Sequence, residues 1–385
     1  MDDSGEKARF VLTPVVGKYF VGRKALVREL VEELGDKGSH IGFCVYGKRR
    51  IGKTSILLKA QELLSKKKDI VVAYLSLYDV PNLSPDVFAE ELISAVVSQY
   101  QSRGLLPMKM HVKELLKAPL AVALELLKSI KLEASIVEQI KLVFEYKEGG
   151  GSRSEYIRQA FGIGEALADA TSTKCIIILD EFPEIVRFEN GLQLVKMLRT
   201  QYERQKMTSL VISGSIRKTL DIVALSDTSP LYKQLVPKHL PPFTKEEVVE
   251  FLGLYRSDVD PNAVDKLYEI TGGSPFYLQF IGRSTKYSGS IEEIVKTFID
   301  QEGDLFFREE FDKLSTKQKG IVAELASGKK SLSAIAESMN ELPTTIGSYL
   351  PSLMETETLT KESRGTYALA DNMFGYWLRT KVKAV

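Results

Sequence analysis

Nine consecutive residues, Gly47-Lys48-Arg49-Arg50-Ile51-Gly52-Lys53-Thr54-Ser55, have types and spacing that could bind phosphate. Glycines in a G-x-x-x-x-G arrangement let backbone N–H groups converge on phosphate oxygens. A helix starting at the end of the pattern aims the positive end of its dipole at the same point. Lys53 supplies a charge for the β- and γ-phosphates, and the Thr54 hydroxyl can ligate Mg²⁺. The local context fits, because the apolar run "IGFCVYG" leads in and a helical pattern from Thr54 to about Ser65 leads out.

A second group sits far along the chain, in "CIIILDEF". A carboxylate at the end of a buried strand is costly unless it meets a cation, so Asp180 is expected to hold Mg²⁺ through water. Glu181 is placed to orient or deprotonate an attacking water. Taken alone, an Asp-Glu pair after four aliphatic residues also fits a plain strand end and turn. The run "SLVISGS" offers Ser213 and Ser215, either as a polar sensor of the γ-phosphate or simply as turn formers. No N-K-x-D motif for reading guanine occurs, so ATP is preferred to GTP.

These residues need a sheet to position them, and the first half of the chain supplies one. The runs "IGFCVYG", "IVVAYLSL", "KCIIILDEF" and "SLVISGS" read as continuous apolar strands. Helical patterns near Pro85–Tyr100 and Arg153–Ala170 fall between them. That alternation predicts an α/β fold with a parallel sheet covered on both faces. Between the second and third strands, the stretch "SIKLEASIVEQIKLVFEYKEGGG" alternates apolar and polar residues, as a half-exposed hairpin does. The triple glycine Gly149–Gly151 would be its joint. Such a hairpin either contacts a partner or covers a sheet edge.

After "PKHLPPF" the strand signal stops. Short amphipathic helices follow, beginning with a capping box at Thr244 and Glu247. Three further helices are expected at Thr316–Ala326, Ser331–Met339 and Pro343–Glu355. They precede "LTKESRGTYALAD", two extended runs around a turn, and that order is the one of a winged helix-turn-helix. The third of these helices offers Thr344, Thr345, Ser348 and Tyr349 but no lysine or arginine. Phosphate contacts to duplex DNA would fall to Lys329, Lys330, Lys361, Arg364 and the terminal "RTKVKAV". The domain is therefore a DNA reader or a module for protein interaction and self-docking. Trp377, in "MFGYWL", is expected in the core.

The chain resembles the archaeal ATPase family of AAA+-related STAND NTPases. The likeness is carried by "YFVGRKALVREL", "YGKRRIGKTSIL", "IIILDEFPEI" and "ITGGSPFYLQ", in that order. The resemblance implies a five-stranded ATP-binding core, a helical lid and a C-terminal winged helix. It implies that Phe20, Val21, Gly22 and Arg23 line the adenine side and that Pro275 closes the lid over the base. Family members commonly carry Pro-Leu-Tyr-Gly-Arg where this chain has "PLYKQ", so Lys233 and Gln234 stand in place of Gly-Arg. An arginine finger is worth ~10³–10⁵ in turnover where it has been measured. Its loss points to slow hydrolysis, unless Arg217, Arg49, Arg50 or a neighbouring subunit substitutes. The expected division is a P-loop core over 1–242 with an insertion at about 101–150, a lid over 243–305 and a winged helix over 306–385.

Composition sets the outer bounds. A chain of 385 residues is long enough for two or three domains. A formal net charge of +1 advertises no global affinity for nucleic acid. Cys44 and Cys175 lie within apolar runs, as buried thiols in a reducing compartment do. The three histidines and two separated cysteines give no zinc spacing. No apolar run is long enough to cross a bilayer and "MDDSGEKARF" is unlike a signal peptide, so a cytoplasmic protein without a membrane partner is expected. The leading expectation is an ATP- and Mg²⁺-dependent conformational switch that hydrolyses slowly. The alternative is a DNA-binding AAA+ ATPase of the replication-initiator or transposition-helper kind.

Overall fold

The computed structural model describes residues 13–106, 152–215, 217–254, 261–284 and 290–382. The expected hairpin and the triple glycine Gly149–Gly151 lie outside the described residues. The chain forms two compact units. One holds Lys24–Arg49 and Lys53–Leu240. The other holds the residues up to Arg23, the short piece Arg50–Gly52, and the chain from Pro241 onward.

The first unit is built on a five-stranded sheet of β1 (Gly42–Tyr46), β2 (Ile70–Ser76), β3 (Lys174–Asp180), β4 (Thr208–Gly214) and β5 (Leu235–His239). The order is β2-β3-β4-β1-β5, and every pairing is parallel. Every residue of β3 and β4 is buried, which is why those segments read as unbroken apolar runs rather than alternating ones. The fifth strand, "LVPKH", carries a proline and several exposed positions. An edge strand tolerates both, because one side of its backbone needs no partner. Helices Pro85–Ser102 and Arg153–Thr171 supply Phe88, Tyr100 and Phe161 to the core, with Phe88 edge-on to Phe161 at 6.0 Å. Cys44 and Cys175 are free and buried, as expected.

Register brings the polar strand ends level. Val45 pairs with Ser213, Leu179 pairs with Ile212, and Ser76 pairs with Asp180. Tyr46, Gly214, Asp180 and Ser76 therefore end their strands on one edge of the sheet, the carboxyl edge where α/β proteins bind ligands.

The second unit is helical, with a small sheet. Helix Lys245–Gly253 opens with the expected capping box, since Thr244 and Glu247 each bond the other's backbone N–H. Helices Pro261–Thr271, Pro275–Ser284, Ile291–Phe298 and Asp304–Asp312 follow. Then come Thr316–Leu325, Leu332–Ser338 and Pro343–Glu355, close to the expected limits. An antiparallel pair, β7 (Leu359–Ser363) and β8 (Thr366–Leu369), joins the short β6 (Lys330–Ser331) in the order β6-β8-β7. This is a winged helix-turn-helix. Trp377 is buried, stacks on Phe374 at 5.8 Å, and donates Nε1–H to Asp304 Oδ1 at 2.8 Å.

Candidate functional site

The phosphate-loop lysine is buried, at 5 % exposure, and its ammonium donates to the carbonyls of Gly47 at 3.1 Å and Lys48 at 3.0 Å. It thus lies across the loop it belongs to, where a phosphate would meet it. Ile51 packs inward at 2 % exposure, whereas Arg49 and Arg50 are exposed. Gly52 has φ +96°, and a side chain there would bring its Cβ to 2.9 Å from Arg23 Nη1. That backbone conformation favours glycine. Helix Lys53–Leu64 then starts with Lys53, Thr54 and Ser55 in its first turn.

Asp180, at the end of β3, is 2 % exposed and sits at the centre of a set of hydroxyls. Its Oδ2 accepts from Thr54 Oγ1 at 2.7 Å and from Tyr74 Oη at 2.7 Å. Its Oδ1 accepts from Ser213 Oγ and from the Glu181 backbone N–H at 3.0 Å. Four donors, two on each oxygen, reach this carboxylate. Donors on both oxygens hold the carboxylate in one orientation. The Tyr74 phenol is raised above its ordinary pKa, by burial first and by the Asp180 charge second, so it remains a donor.

Glu181 has left-handed backbone geometry, with φ +50° and ψ +41°, and precedes the 3₁₀ helix Phe182–Arg187. A non-glycine residue held there is strained, a feature that clusters at functional sites. Burial raises the Glu181 carboxyl above its usual pKa, while the Lys53 charge opposes the shift. A carboxylate made more basic is better suited to take a proton from water. Of the two serines, Ser213 reaches Asp180, and Ser215 is buried one residue beyond the end of β4.

Among the described residues, no group of three or more His, Cys, Asp or Glu could cage a metal. Thr54 and Asp180 instead offer one hydroxyl and one buried carboxylate, the sparse set that suits Mg²⁺ because that ion keeps several waters. The residues fit such an ion beside a nucleotide.

The other expected residues fall in the second unit. Val21 joins its core with Phe243 and Val248, and Pro275 starts helix Pro275–Ser284 just after the turn at Gly272 and Gly273. Gly22 has φ +70°, and a Cβ there would press on Glu247 Oε1 at 2.7 Å. The Arg23 guanidinium donates to the Pro241 carbonyl at 3.0 Å and lies 4.5 Å from the Phe243 ring. Burial lowers its pKa to about 10, with Glu247 opposing, and its Nε has no hydrogen-bond partner. Within the same unit, Arg50 lies 4.3 Å from the ring centroid of Phe276 and 5.1 Å from that of Phe306. Phe20 is partly buried.

At the position of the missing Gly-Arg, Lys233 is exposed with its ammonium 5.3 Å from the Tyr232 ring, and the Gln234 amide donates to Glu203 at 3.1 Å. Arg217 begins a single helical turn, Arg217–Leu220. Sequence reasoning missed Tyr74 and the bond that the Arg23 backbone N–H donates to Glu247 Oε1. The one available signal for Tyr74 was a polar hydroxyl near the end of an otherwise apolar strand.

Residues 20–281 match a family described as an ATPase domain predominantly from Archaea, more than half of the chain. The chain belongs to this family. A protein of Methanocaldococcus jannaschii described as uncharacterized is 26 % identical over 224 residues, covering 53 % of this chain and 48 % of that protein. The chain thus aligns with about half the length of that curated relative. Among solved structures, a Walker-type ATPase of Pyrococcus abyssi superposes with a TM-score of 0.67 at 20 % identity, covering 96 % of this chain and 99 % of that one. The ORC2 protein of Aeropyrum pernix, solved in ADPNP–ADP complexes, gives 0.53 at 15 % identity, covering 95 % and 96 %. The fold is that of P-loop ATPases of the archaeal ATPase and ORC type. No helix among the described residues is long and apolar enough to cross a membrane.

Proposed function

We propose that this archaeal-type ATPase binds ATP with Mg²⁺ at Gly47–Ser55 and Asp180, hydrolyses it slowly, and uses the nucleotide state as a conformational switch. The observation that carries this reading is the pairing of Thr54 with buried Asp180 beside Lys53, which joins the two halves of a metal–nucleotide site. When bound, Mg²⁺ would supply charge neutralisation between the β- and γ-phosphates. Lys53 would add its charge there, Thr54 and Asp180 would orient the ion's ligands, and Glu181 would hold and deprotonate the attacking water. The relative solved with ADPNP and ADP fits the choice of an adenine nucleotide. Phe20, Val21, Gly22, Arg23 and Pro275 would read the base.

Two observations favour a switch over a rapid motor. Lys233 and Gln234 replace the family's Gly-Arg, and Gln234 is engaged by Glu203. Arg50 belongs by sequence to the phosphate loop, yet its guanidinium rests on Phe276 and Phe306. A change of loop conformation on binding or hydrolysis would therefore be felt by those rings.

The second reading, a DNA-dependent ATPase, loses part of its expected basic rim. Lys330 pairs with Glu324 at 2.7 Å, Lys381 pairs with Asp300 at 2.6 Å, and Arg379 donates to the Ala326 carbonyl. Lys329, Lys361 and Arg364 are exposed, and helix Pro343–Glu355 presents exposed Thr344 and Ser348 without a basic residue. A protein partner or self-association through this domain suits such a surface better.

Steady-state ATP turnover over a range of protein concentrations, with and without duplex DNA, tests the choice. Slow turnover indifferent to DNA is expected. A rate that rises several-fold with duplex and falls steeply with salt would transfer the protein to the DNA-dependent class.

A further inference from the structure

Asp180 Oδ2 takes two hydroxyls from two different elements. Thr54 comes from the first turn of the helix after the phosphate loop, and Tyr74 comes from β2, the strand next to β3. A threonine that donates its proton to a carboxylate keeps its oxygen lone pairs for a cation. That division of labour works only if Oδ2 stays where Thr54 can reach it. The terminal torsion of an aspartate is broad, so the carboxylate itself does little to fix the position of either oxygen. Ser213 and the Glu181 N–H hold Oδ1. Among the described residues, Tyr74 is the one side chain that shares Oδ2 with Thr54. Its position is not accidental to the sheet. Tyr74 pairs with Ile178 and Ser76 with Asp180, so the phenol reaches forward along the strand direction to the carboxylate two residues ahead. An aromatic arm has two side-chain torsions and loses little entropy when it delivers one hydroxyl to a fixed point.

We propose that Tyr74 is a positioning residue for the metal site, fixing Asp180 Oδ2 so that Thr54 presents its lone pairs to the cation. This rests on the nucleotide-binding reading above. Outer partners of metal sites commonly change metal affinity 10–100-fold when removed.

Tyr74→Phe deletes one oxygen and keeps the ring, so it isolates the hydrogen bond from the packing. ADP binding is measured with a fluorescent analogue in chelator, and the ADP complex is then titrated with Mn²⁺, free Mn²⁺ being read by its paramagnetic resonance signal. The expected loss is confined to the metal-dependent part: half-saturation by Mn²⁺ rises about tenfold. An unchanged Mn²⁺ requirement overturns the proposal. So does a proportional loss of affinity with and without metal together with a lower melting temperature, which is what a merely structural tyrosine would give. A parent protein that binds no ADP at all would instead overturn the nucleotide reading, and this inference with it.

Discussion

Thr54 Oγ1 donates to Asp180 Oδ2 at 2.7 Å, closing a contact between residues 126 positions apart. One end is the helix start that a phosphate loop requires, and the other is the buried end of β3. The pair accounts for a buried carboxylate in an apolar sheet: it is surrounded by donors, and on the proposed reading a cation would sit beside it.

Removing the Thr54 hydroxyl should separate metal from nucleotide. In Thr54→Ala, the affinity for ADP with Mg²⁺ should fall to the value in chelator, while Thr54→Ser keeps the difference. A Thr54→Ala protein whose affinity still rises with Mg²⁺ would place the ion elsewhere.

Lys53 is expected to matter even without the metal, because its ammonium is the buried positive charge lying across the loop. A hydrogen bond to a charged group is worth about 1.5–3 kcal/mol, so Lys53→Ala should weaken ADP binding in chelator by about 10–100-fold. Isothermal titration measures this directly, and an unchanged affinity would remove the loop from the binding site.

Much of this site was legible in the sequence, and the part that was not has a common physical cause. The phosphate loop is local, and its glycines and Lys53-Thr54 sit within one stretch of chain. Asp180 stood out because a carboxylate ends an unbroken aliphatic run. The serine at 213 could be named but not distinguished from Ser215, since the choice depends on which side chain faces β3. Tyr74 depends on the β2–β3 register, and Glu247 reaches the Arg23 backbone across 224 residues. Both are facts of tertiary pairing. The fifth strand was hidden because "LVPKH" is an edge, where burial no longer writes an apolar pattern.

Lys174 gives the sheet a pH signature. It is 1 % exposed, its ammonium donates to the Asp36 and Ser39 carbonyls at 2.7 Å each, and burial lowers its pKa from 10.5 to about 8. Between those values the unfolded chain holds a proton that the folded one has released, so stability from this group rises with pH across the window. A neutral amine keeps two N–H bonds, enough for both carbonyls. In Lys174→Met, losing both bonds should cost about 1–3 kcal/mol. Urea unfolding should show the parent gaining on the variant between pH about 8 and 10.5. A difference independent of pH would contradict the assignment.

Trp377 is the sole tryptophan and lies in the core of the second unit, between Phe374, Phe307 and Phe311. Trp377→Ala should cost that unit about 3–5 kcal/mol, through lost burial and the broken bond to Asp304. Denaturant unfolding followed by circular dichroism measures the shift. A variant with parent stability would mean the aromatic cluster is not what holds the unit together.

The most direct test of the central claim compares the parent with Glu181→Gln for ATP binding and phosphate release. Glutamine keeps the shape but cannot take a proton, and a positioned base is worth about 10²–10⁴-fold in rate. The account predicts that both proteins bind Mg²⁺-ATP with similar affinity, and that only the parent releases phosphate at a measurable rate. Equal hydrolysis by the two would contradict it.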